Sequence, residues 1–511
     1  MLERAIGWIK DNTIPGKGIV ITSKREVCYP EVTGYYIPTL LSLGEDKLAH
    51  QYARWLVSVQ QADGSFGLDG KGYAFDTGQV VRGFVALVEQ MPELESPLRR
   101  ACNWLIEIAD AQTGRLQVPS AGGVWKLGSR GEVNEGINLY VLKPLRQAGE
   151  LLNEPGYIQF VDKSLNYYLE NVTLTDFSAA NALTHFYAYI QEALVELGCG
   201  DVACAGMASA GRYQDSDGAV PAYSDVTWVC STGQAQLAQV WYRLGENERA
   251  DAAMRFLEVL QNPSGGFFGS YGRQADYFPD EEISWAVKYA IEAAQLQIAS
   301  HFNQTVNIYQ NEISESDPRV EGVLNYLGDL NGKRVLDAGC GKGRYAAVIK
   351  QRYPQADVTA LDISEEMLRY VPDGINKVQG GILDMPFGDG QFDAVICIEA
   401  LEHVVNIENG VKELSRVLAG GGKLMIIDKN KEKLGQLKMP SWEKWFGREE
   451  LLDMMLSNGL RAQAQFIGHD KVTEPDGLFI AWIGQKEYTI STRDVCSDLK
   501  RNNILAGTNE K

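Results

Sequence analysis

The stretch Lys333-Arg-Val-Leu-Asp-Ala-Gly-Cys-Gly-Lys-Gly343, continued by RYAAVIKQRYPQADVTALDIS to Ser364, changes its hydrophobic rhythm twice. An apolar run carrying Asp337 meets a glycine turn, then apolar residues at helical spacing, then a second apolar run ending at Asp362. This reads as strand (334–338), turn, helix (344–353) and strand (358–361), one βαβ unit with a parallel strand pair. Gly339, Gly341 and Gly343 let the main chain come close to a ligand, and the helix N-terminus behind them favours an anion. The spacing is GxGxG rather than GxGxxG, and on its own it defines no ligand.

Working outward, FDAVICIEALEHV (392–404), VKELSRVLAGGGKLMIID (411–428) and FIAWIGQK (479–486) continue the strand–helix alternation. With Asp337 two residues before the first glycine and Asp362 at the end of the second strand, residues 315–487 closely resemble the class I S-adenosylmethionine-dependent methyltransferases. The nearest likeness is to the broad group that includes ubiquinone and small-molecule O-methyltransferases. The resemblance implies a Rossmann-like α/β domain with S-adenosyl-L-methionine as cofactor. It implies that Asp337 helps hold the amino-acid end, that main chain at Gly339 and Gly341 makes room for the methionine portion, and that Glu399 lies beside it. Asp362 would take the ribose and Ile363 would cover one face of the adenine. Such families commonly carry an Asp before the LPF-like segment to receive the adenine amino group. Here VQGGILDMPF has Gly381 at that position, which leaves the backbone of Ile382 to meet the ring edge and makes Asp384 a turn residue.

Methyl transfer is an in-line displacement, and an alcohol acceptor must also lose its proton. His403 follows the fourth strand at the carboxyl edge, where ligands collect, and is the candidate base, with Glu402 as second candidate. The alternative role for His403 is to orient its loop. Trp442, Trp445 and Phe446 read either as an acceptor lid or as an apolar face.

The first 300 residues repeat a phrase. WLVSVQQADGSF (55–66) returns as FLEVLQNPSGGF (256–267), with looser copies in WLIEIADAQTGRL (104–116) and RYQDSDGAV (212–220). Helices apolar on all sides recur near Gly34, Gly78, Gly136, His185, Gly233 and Ser284, with amphipathic segments between them. Six inner and six outer helices predict an all-α (α/α)6 toroid; an open helical array is the rival arrangement. The pattern resembles the terpenoid-cyclase and prenyltransferase toroids, squalene–hopene cyclase among them. It lacks their DxDD acid, since DSDG (215–218) has no final acidic pair, and it lacks the Cys and His of a zinc triad. The repeat therefore names a scaffold. Acids and aromatics stand near the expected inner-helix starts: Tyr29, Glu31, Tyr73, Asp76, Asp225 and Trp228, with Glu132, Glu135, Asp176, Tyr277, Asp280 and Glu281 besides. Helix capping explains acids there. The sharper expectation is that the first six gather at one mouth and bind a saccharide, as toroids of this type also host glycosidases, lyases and uronyl epimerases.

Composition bounds the rest. The 511 residues exceed one core, and a formal charge of −19 argues against nucleic acid. Eight scattered cysteines and five histidines predict no disulfide framework and no metal site. The N-terminus has charges within its apolar stretch and no run reaches membrane-spanning length, so the expected setting is cytoplasmic. The expected plan is a toroid over 1–300, a methyltransferase domain over 301–487 and a polar tail over 488–511. Its expected activity is O-methylation of a glycan, glycolipid or other bulky acceptor. The alternatives are a bifunctional enzyme whose toroid does lyase, epimerase or cyclase-like chemistry, and a toroid that serves as a protein-interaction scaffold.

Overall fold

In a computed structural model the chain divides into two compact units, Met1–His301 and Phe302–Lys511. Residues 1–116, 133–178, 183–440, 442–470 and 472–488 are described; Glu132 and the tail from 489 onward lie outside them. No helix among the described residues is long and apolar enough to cross a membrane.

Helices of two kinds alternate in the first unit. α1 (Leu2–Asp11), α3 (Asp46–Val59), α5 (Glu95–Glu107), α7 (Pro155–Asn171), α9 (Gly200–Gly211) and α11 (Asn247–Leu260) expose one face. Between them run α2 (Pro30–Ser42), α4 (Ala74–Leu87), α6 (Leu139–Leu151), α8 (Thr184–Glu196), α10 (Ser231–Arg243) and α12 (Ser284–Thr305), which are buried along most of their length. The glycines that mark this second kind sit at helix contacts. A Cβ on Gly34 would lie 2.7 Å from the Gln79 carbonyl, and one on Gly78 would meet Val141 at 2.7 Å, so neighbouring helices touch where no side chain intervenes.

The repeated phrase is a clamp. The Gln60 amide donates to the carbonyls of Gly64 (3.0 Å) and Pro97 (2.9 Å), tying the turn after α3 to the start of α5. Gln214 does the same with Gly218 (3.3 Å) and Arg249 (2.9 Å) of α11. Gln261 holds Gly265 (3.0 Å) and reaches Met1 (2.9 Å), so the last copy grips the first helix. Likewise the Gln239 amide of α10 donates to the Tyr289 carbonyl of α12 (2.9 Å), and Thr39 of α2 donates to Glu292 of α12 (2.5 Å). The series of helices thus returns to its start.

The unit is not purely helical. Short antiparallel pairs form at Val20–Thr22 with Arg25–Cys28, Gly67–Leu68 with Lys71–Gly72, and Val229–Cys230 with Ser270–Tyr271. The second pair turns through Asp69 (φ 51°) and Gly70 (φ 75°), the positive-φ dipeptide of a two-residue hairpin. That Asp-Gly signal stands in LDGK and corrects the all-helical expectation.

The second unit is built on one sheet: β1 (Arg334–Ala338), β2 (Asp357–Asp362), β3 (Asn376–Gln379), β4 (Phe392–Ile398), β5 (Leu418–Lys429), β6 (Leu460–Ile467) and β7 (Phe479–Lys486). The spatial order is β6-β7-β5-β4-β1-β2-β3, and β7 runs antiparallel to both its neighbours. Successive residues of β1 alternate faces, Val335 entering one apolar core and Leu336 the other. α13 (Pro318–Leu327) and α14 (Arg344–Arg352) contribute to the first core; α15 (Ile407–Val417) and α16 (Arg448–Ser457) contribute to the second. The chain winds outward from β1 to β3, then returns to β4 on the other side of β1. Strand order therefore reverses between β1 and β4, and their carboxyl ends open the crevice where such sheets bind ligands.

Candidate active site

Everything at the crevice hangs on the turn after β1. The amides of Gly339 and Cys340 both donate to the Leu361 carbonyl of β2, at 2.8 and 2.9 Å. This folds the turn back over the neighbouring strand. The next amide, Gly341 N–H, donates to one oxygen of Asp362 (2.7 Å), and Ser364 N–H donates to the other (2.8 Å). Asp362 is thereby fixed at the tip of β2, and burial pushes its carboxyl above the usual range. Asp337 accepts the Ala346 amide of α14 at 3.1 Å, which joins strand end to helix start. Burial, opposed by that bond and aided by the Asp362 charge, pushes it up to about 7. Each of the three glycines has positive φ, as the turn demands. A Cβ on Gly339 would strike Ala400 at 2.4 Å, whereas one on Gly341 would meet nothing within 4 Å. Main chain at Gly341 therefore borders open space, a cradle for a ligand beside Asp362 and before the α14 N-terminus.

Several neighbours complete the rim. Ile363 is exposed and Ile382 is buried, while the site of Gly381 is open on its Cβ side. Glu399 follows β4 with φ 51° and takes the Arg319 guanidinium at 2.6 Å; Arg319 also holds Asp317 (2.9 Å) and Asp470 (2.6 Å).

Beyond β4, register gathers residues that sequence spacing keeps apart. Ile398 pairs with Ile427, so Asp428 and Lys429 emerge beside the segment from Glu399 to His403. Glu402 is 1% exposed and receives the Lys429 ammonium, which also reaches Glu443 at 3.2 Å. Trp445 donates its indole N–H to Glu443 at 2.7 Å. Burial raises the Glu402 carboxyl to about 7 against the pull of Lys429. Asp428, fully buried, is raised by desolvation and by the Glu402 charge. His403 Nε2 lies 3.5 Å from Glu402, and its ring packs edge-on to Phe302 with centroids 4.9 Å apart. Glu402, His403 and Glu443 place ligand-type atoms within 4.8 Å of one another, but the Lys429 ammonium already supplies positive charge between the two acids. Trp445 and Phe446 are core residues rather than a lid, 4% and 2% exposed, since each fills one face of the sheet.

Within the second unit the sequence marks no site residue before Asp337. The Phe302–Asn311 segment nonetheless touches the crevice at three points: Phe302 on His403, Asn303 on the Ser364 hydroxyl (2.7 Å), and the Tyr309 carbonyl with Asn311 on the Lys342 ammonium (2.8 and 2.7 Å). No glycine motif flags this stretch; only its aromatic and amide side chains hint at it.

The six residues expected at one mouth of the first unit fall into two groups. Tyr29 caps α2 and donates its hydroxyl to Asp76 in the first turn of α4. Glu31 lies within electrostatic reach of both, and Tyr73 of Tyr29. Trp228 is 2% exposed, packed edge-on to Tyr223 at 5.8 Å, and Asp225 is solvent-exposed.

A switch-point crevice with a glycine turn, a strand-end acid and a second acid one strand away defines a Rossmann-like nucleotide-cofactor enzyme domain. Residues 336–426 match the family described as a methyltransferase domain, and the second unit carries a class I methyltransferase domain that uses S-adenosylmethionine. The chain is 32% identical over 121 residues to a fatty-acid O-methyltransferase of Mycolicibacterium smegmatis, covering 23% of this chain and 43% of that one. It is 30% identical over 136 residues to a malonyl-acyl-carrier-protein O-methyltransferase of Methylococcus capsulatus, covering 25% and 48%. The chain thus spans less than half the length of either relative. A solved S-adenosylmethionine-dependent methyltransferase of Mesorhizobium loti superposes with TM-score 0.29 at 15% identity, covering 33% of this chain and 97% of that one.

Proposed function

We propose that the protein moves a methyl group from S-adenosylmethionine to an oxygen of a bulky acceptor, with the glycine turn between Asp337 and Asp362 as the observation that carries the reading. The open space at Gly341 fits a cofactor whose backbone contacts are as close as a missing Cβ allows. Asp362, held by two amides, presents its carboxylate to the ribose, with Ile363 across the adenine. Asp337 and the α14 N-terminus hold the amino-acid end, and Glu399 stands beside it, its position set by Arg319. Gly381 and the Ile382 main chain border the ring edge. The bound cofactor supplies an electrophilic methyl group. What the chain adds is alignment and the removal of the acceptor's proton. His403 is the group for that, and the Glu402 carboxylate beside it stabilises the imidazolium once the proton has arrived.

The test is calorimetric titration of S-adenosylmethionine into the full chain. Asp362→Ala is expected to weaken binding by about 1.5–3 kcal/mol, the scale of hydrogen bonds to a charged group. Unchanged affinity would sink the assignment. With an acceptor in hand, His403→Ala should lower turnover roughly 10²–10⁴-fold with little change in cofactor affinity. Unaltered turnover would reduce His403 to a loop residue.

For the first unit we infer an (α/α)6 toroid whose N-terminal rim, with Tyr29, Glu31, Tyr73 and Asp76 at its centre and Asp225 and Trp228 further round, binds a saccharide. The Gln clamps and the Gln239–Tyr289 and Thr39–Glu292 bonds support a closed ring over an open array. Acids among tyrosines favour a sugar over a protein partner, because rings stack on the hydrophobic face of a pyranose while carboxylates take its hydroxyls. A glycan or glycolipid is then the acceptor class that both units suit.

A further inference from the structure

We infer that Lys429 is a positioning residue of the methyl-transfer site: its ammonium, wedged between Glu402 and Glu443, holds the Glu402 carboxylate against His403 as the imidazole takes the acceptor's proton. This rests on reading His403 as the general base.

Three segments build the wedge. Lys429 is the last residue of β5, and it pairs with Glu402 in the turn after β4 and with Glu443 (3.2 Å) in the segment that follows β5. That segment is tied down on both sides. The Trp445 indole donates to Glu443 at 2.7 Å and the Phe446 amide to the Lys429 carbonyl at 3.1 Å. The Lys444 amide donates to the Glu402 carbonyl at 2.8 Å. All three charged side chains are largely withdrawn from water, Lys429 at 11% exposure, Glu443 at 7% and Glu402 at 1%. Among the described residues no other lysine or arginine pairs with either acid.

One ammonium and two carboxylates leave one negative charge in excess. His403 Nε2 lies 3.5 Å from Glu402, so an imidazolium there brings the group to neutrality. The site is thus arranged for the charge that appears once the acceptor hydroxyl has given up its proton, not for the resting enzyme. Without Lys429 the two buried acids have no counter-charge, and taking up a proton relieves them. A protonated Glu402 offers nothing to the imidazolium, and the base weakens although His403 itself is untouched.

The other titratable groups facing Glu402 leave this balance in place. Glu399, in the same turn, is paired with Arg319 at 2.6 Å. Asp428 precedes Lys429; burial, then the Glu402 charge, raises it well above the usual range, so it keeps its proton and stays neutral. The Tyr309 hydroxyl is raised by burial and feels the charges of Lys429, Glu443 and Glu402. Glu402 itself is raised to about 7 by burial, with Lys429 pulling it down and Glu443 pushing it up. Lys429 and Glu443 therefore act on one ionisation with opposite signs.

The experiment follows the imidazole signals of the full chain carrying carbon-13-labelled histidine, free and with S-adenosylmethionine, between about pH 5 and 9. His403 is the signal lost in His403→Gln. In wild type that signal should show a step near pH 7 as Glu402 ionises. Lys429→Met should move the step up by roughly 1–3 pH units, because the opposite charge is gone. Glu443→Gln should move it down, because the like charge is gone while the amide oxygen still accepts the Trp445 indole. Lys429→Arg should return the step close to its wild-type position. With an acceptor, the acid limb of turnover should shift in the same directions while cofactor affinity holds. Should Lys429→Met fail to fold, Glu443→Gln and Lys429→Arg still decide the question. A step that stays put in Glu443→Gln, or that moves the same way in Lys429→Met, would overturn the role of Lys429. Absence of calorimetric binding of S-adenosylmethionine to wild type would instead overturn the methyl-transfer reading, wherever the step lies.

Discussion

Both units rely on glycines with positive φ, and the clamp turns of the first unit use theirs in the opposite way to Gly341 of the second. In the first unit Gly64, Gly218 and Gly265, with φ between 93° and 96°, turn the chain where another helix presses in. A Cβ on them would sit 2.6, 2.1 and 2.0 Å from the carbonyls of Arg100, Ala252 and Arg4. In the second unit Gly341 has φ 53° and nothing within 4 Å of the Cβ position. One set of glycines is spent on protein touching protein. The other leaves room for something the chain does not contain. A glycine motif is therefore diagnostic of a ligand only when its vacant side is open.

The largest expected effect breaks the first half of that comparison. Gly265→Ala forces an L-residue to φ 96° and drives a methyl into the Arg4 carbonyl. Left-handed strain of about 1–2 kcal/mol and overpacking of about 1–3 kcal/mol should add to roughly 2–5 kcal/mol of lost stability in the first unit. Denaturant unfolding followed by the tryptophans of that unit would measure it, with S-adenosylmethionine affinity unchanged. A loss below about 1 kcal/mol would show that α1 can move away and that the clamp is slack.

The comparison also explains what the sequence made legible. WLVSVQQADGSF carries its aromatic, Gln and Gly at helix-end spacing, so the turn could be read locally. The second partner of Gln60, the Pro97 carbonyl, lies in the next outer helix and left no mark in the phrase. The same holds at the crevice. Asp337, the glycines and Asp362 are linked by one βαβ unit, and their contacts run through adjacent strands. Lys429, Asp428 and Glu443 reach Glu402 only through the β4–β5 register and the loop beyond it, which no local pattern encodes. Phe302 and Asn303 precede the domain's first strand altogether. Trp445 and Phe446 were ambiguous because an aromatic face looks the same whether it covers a substrate or fills a core.

A medium effect sharpens the second half. Asp337 is buried with its carboxyl raised to about 7, well above its value in an unfolded chain. Its protonated form is favoured by folding, so its contribution to stability is complete at low pH and is lost as pH rises through the folded value. Asp337→Asn keeps an acceptor for the Ala346 amide but carries no charge. At about pH 8 it should stabilise the unliganded protein by roughly 1–3 kcal/mol, the cost of burying a poorly compensated polar group, and flatten the decline between about pH 4 and 7. Cofactor affinity should fall at the same time. Thermal melts across that range, with calorimetry at its upper end, would check both. A variant less stable than wild type at every pH would make Asp337 a structural tie rather than a charge kept for a ligand.

The smallest expected change in stability is the most pointed. Gly341→Ala adds a methyl where the chain has nothing, so overpacking contributes nothing to the folded protein. Only the left-handed backbone costs, about 1–2 kcal/mol, and φ 53° is close to the conformation non-glycine residues adopt when they must. The same methyl stands in the cradle beside the amide that holds Asp362. Affinity for S-adenosylmethionine should therefore drop at least tenfold, about 1.4 kcal/mol, while the melting temperature shifts far less than in Gly265→Ala. If Gly341→Ala binds the cofactor as wild type does, the open side of the turn faces solvent rather than ligand. If it unfolds the second unit, the space is filled on a path that the folded chain needs, and the distinction between the two sets of glycines fails.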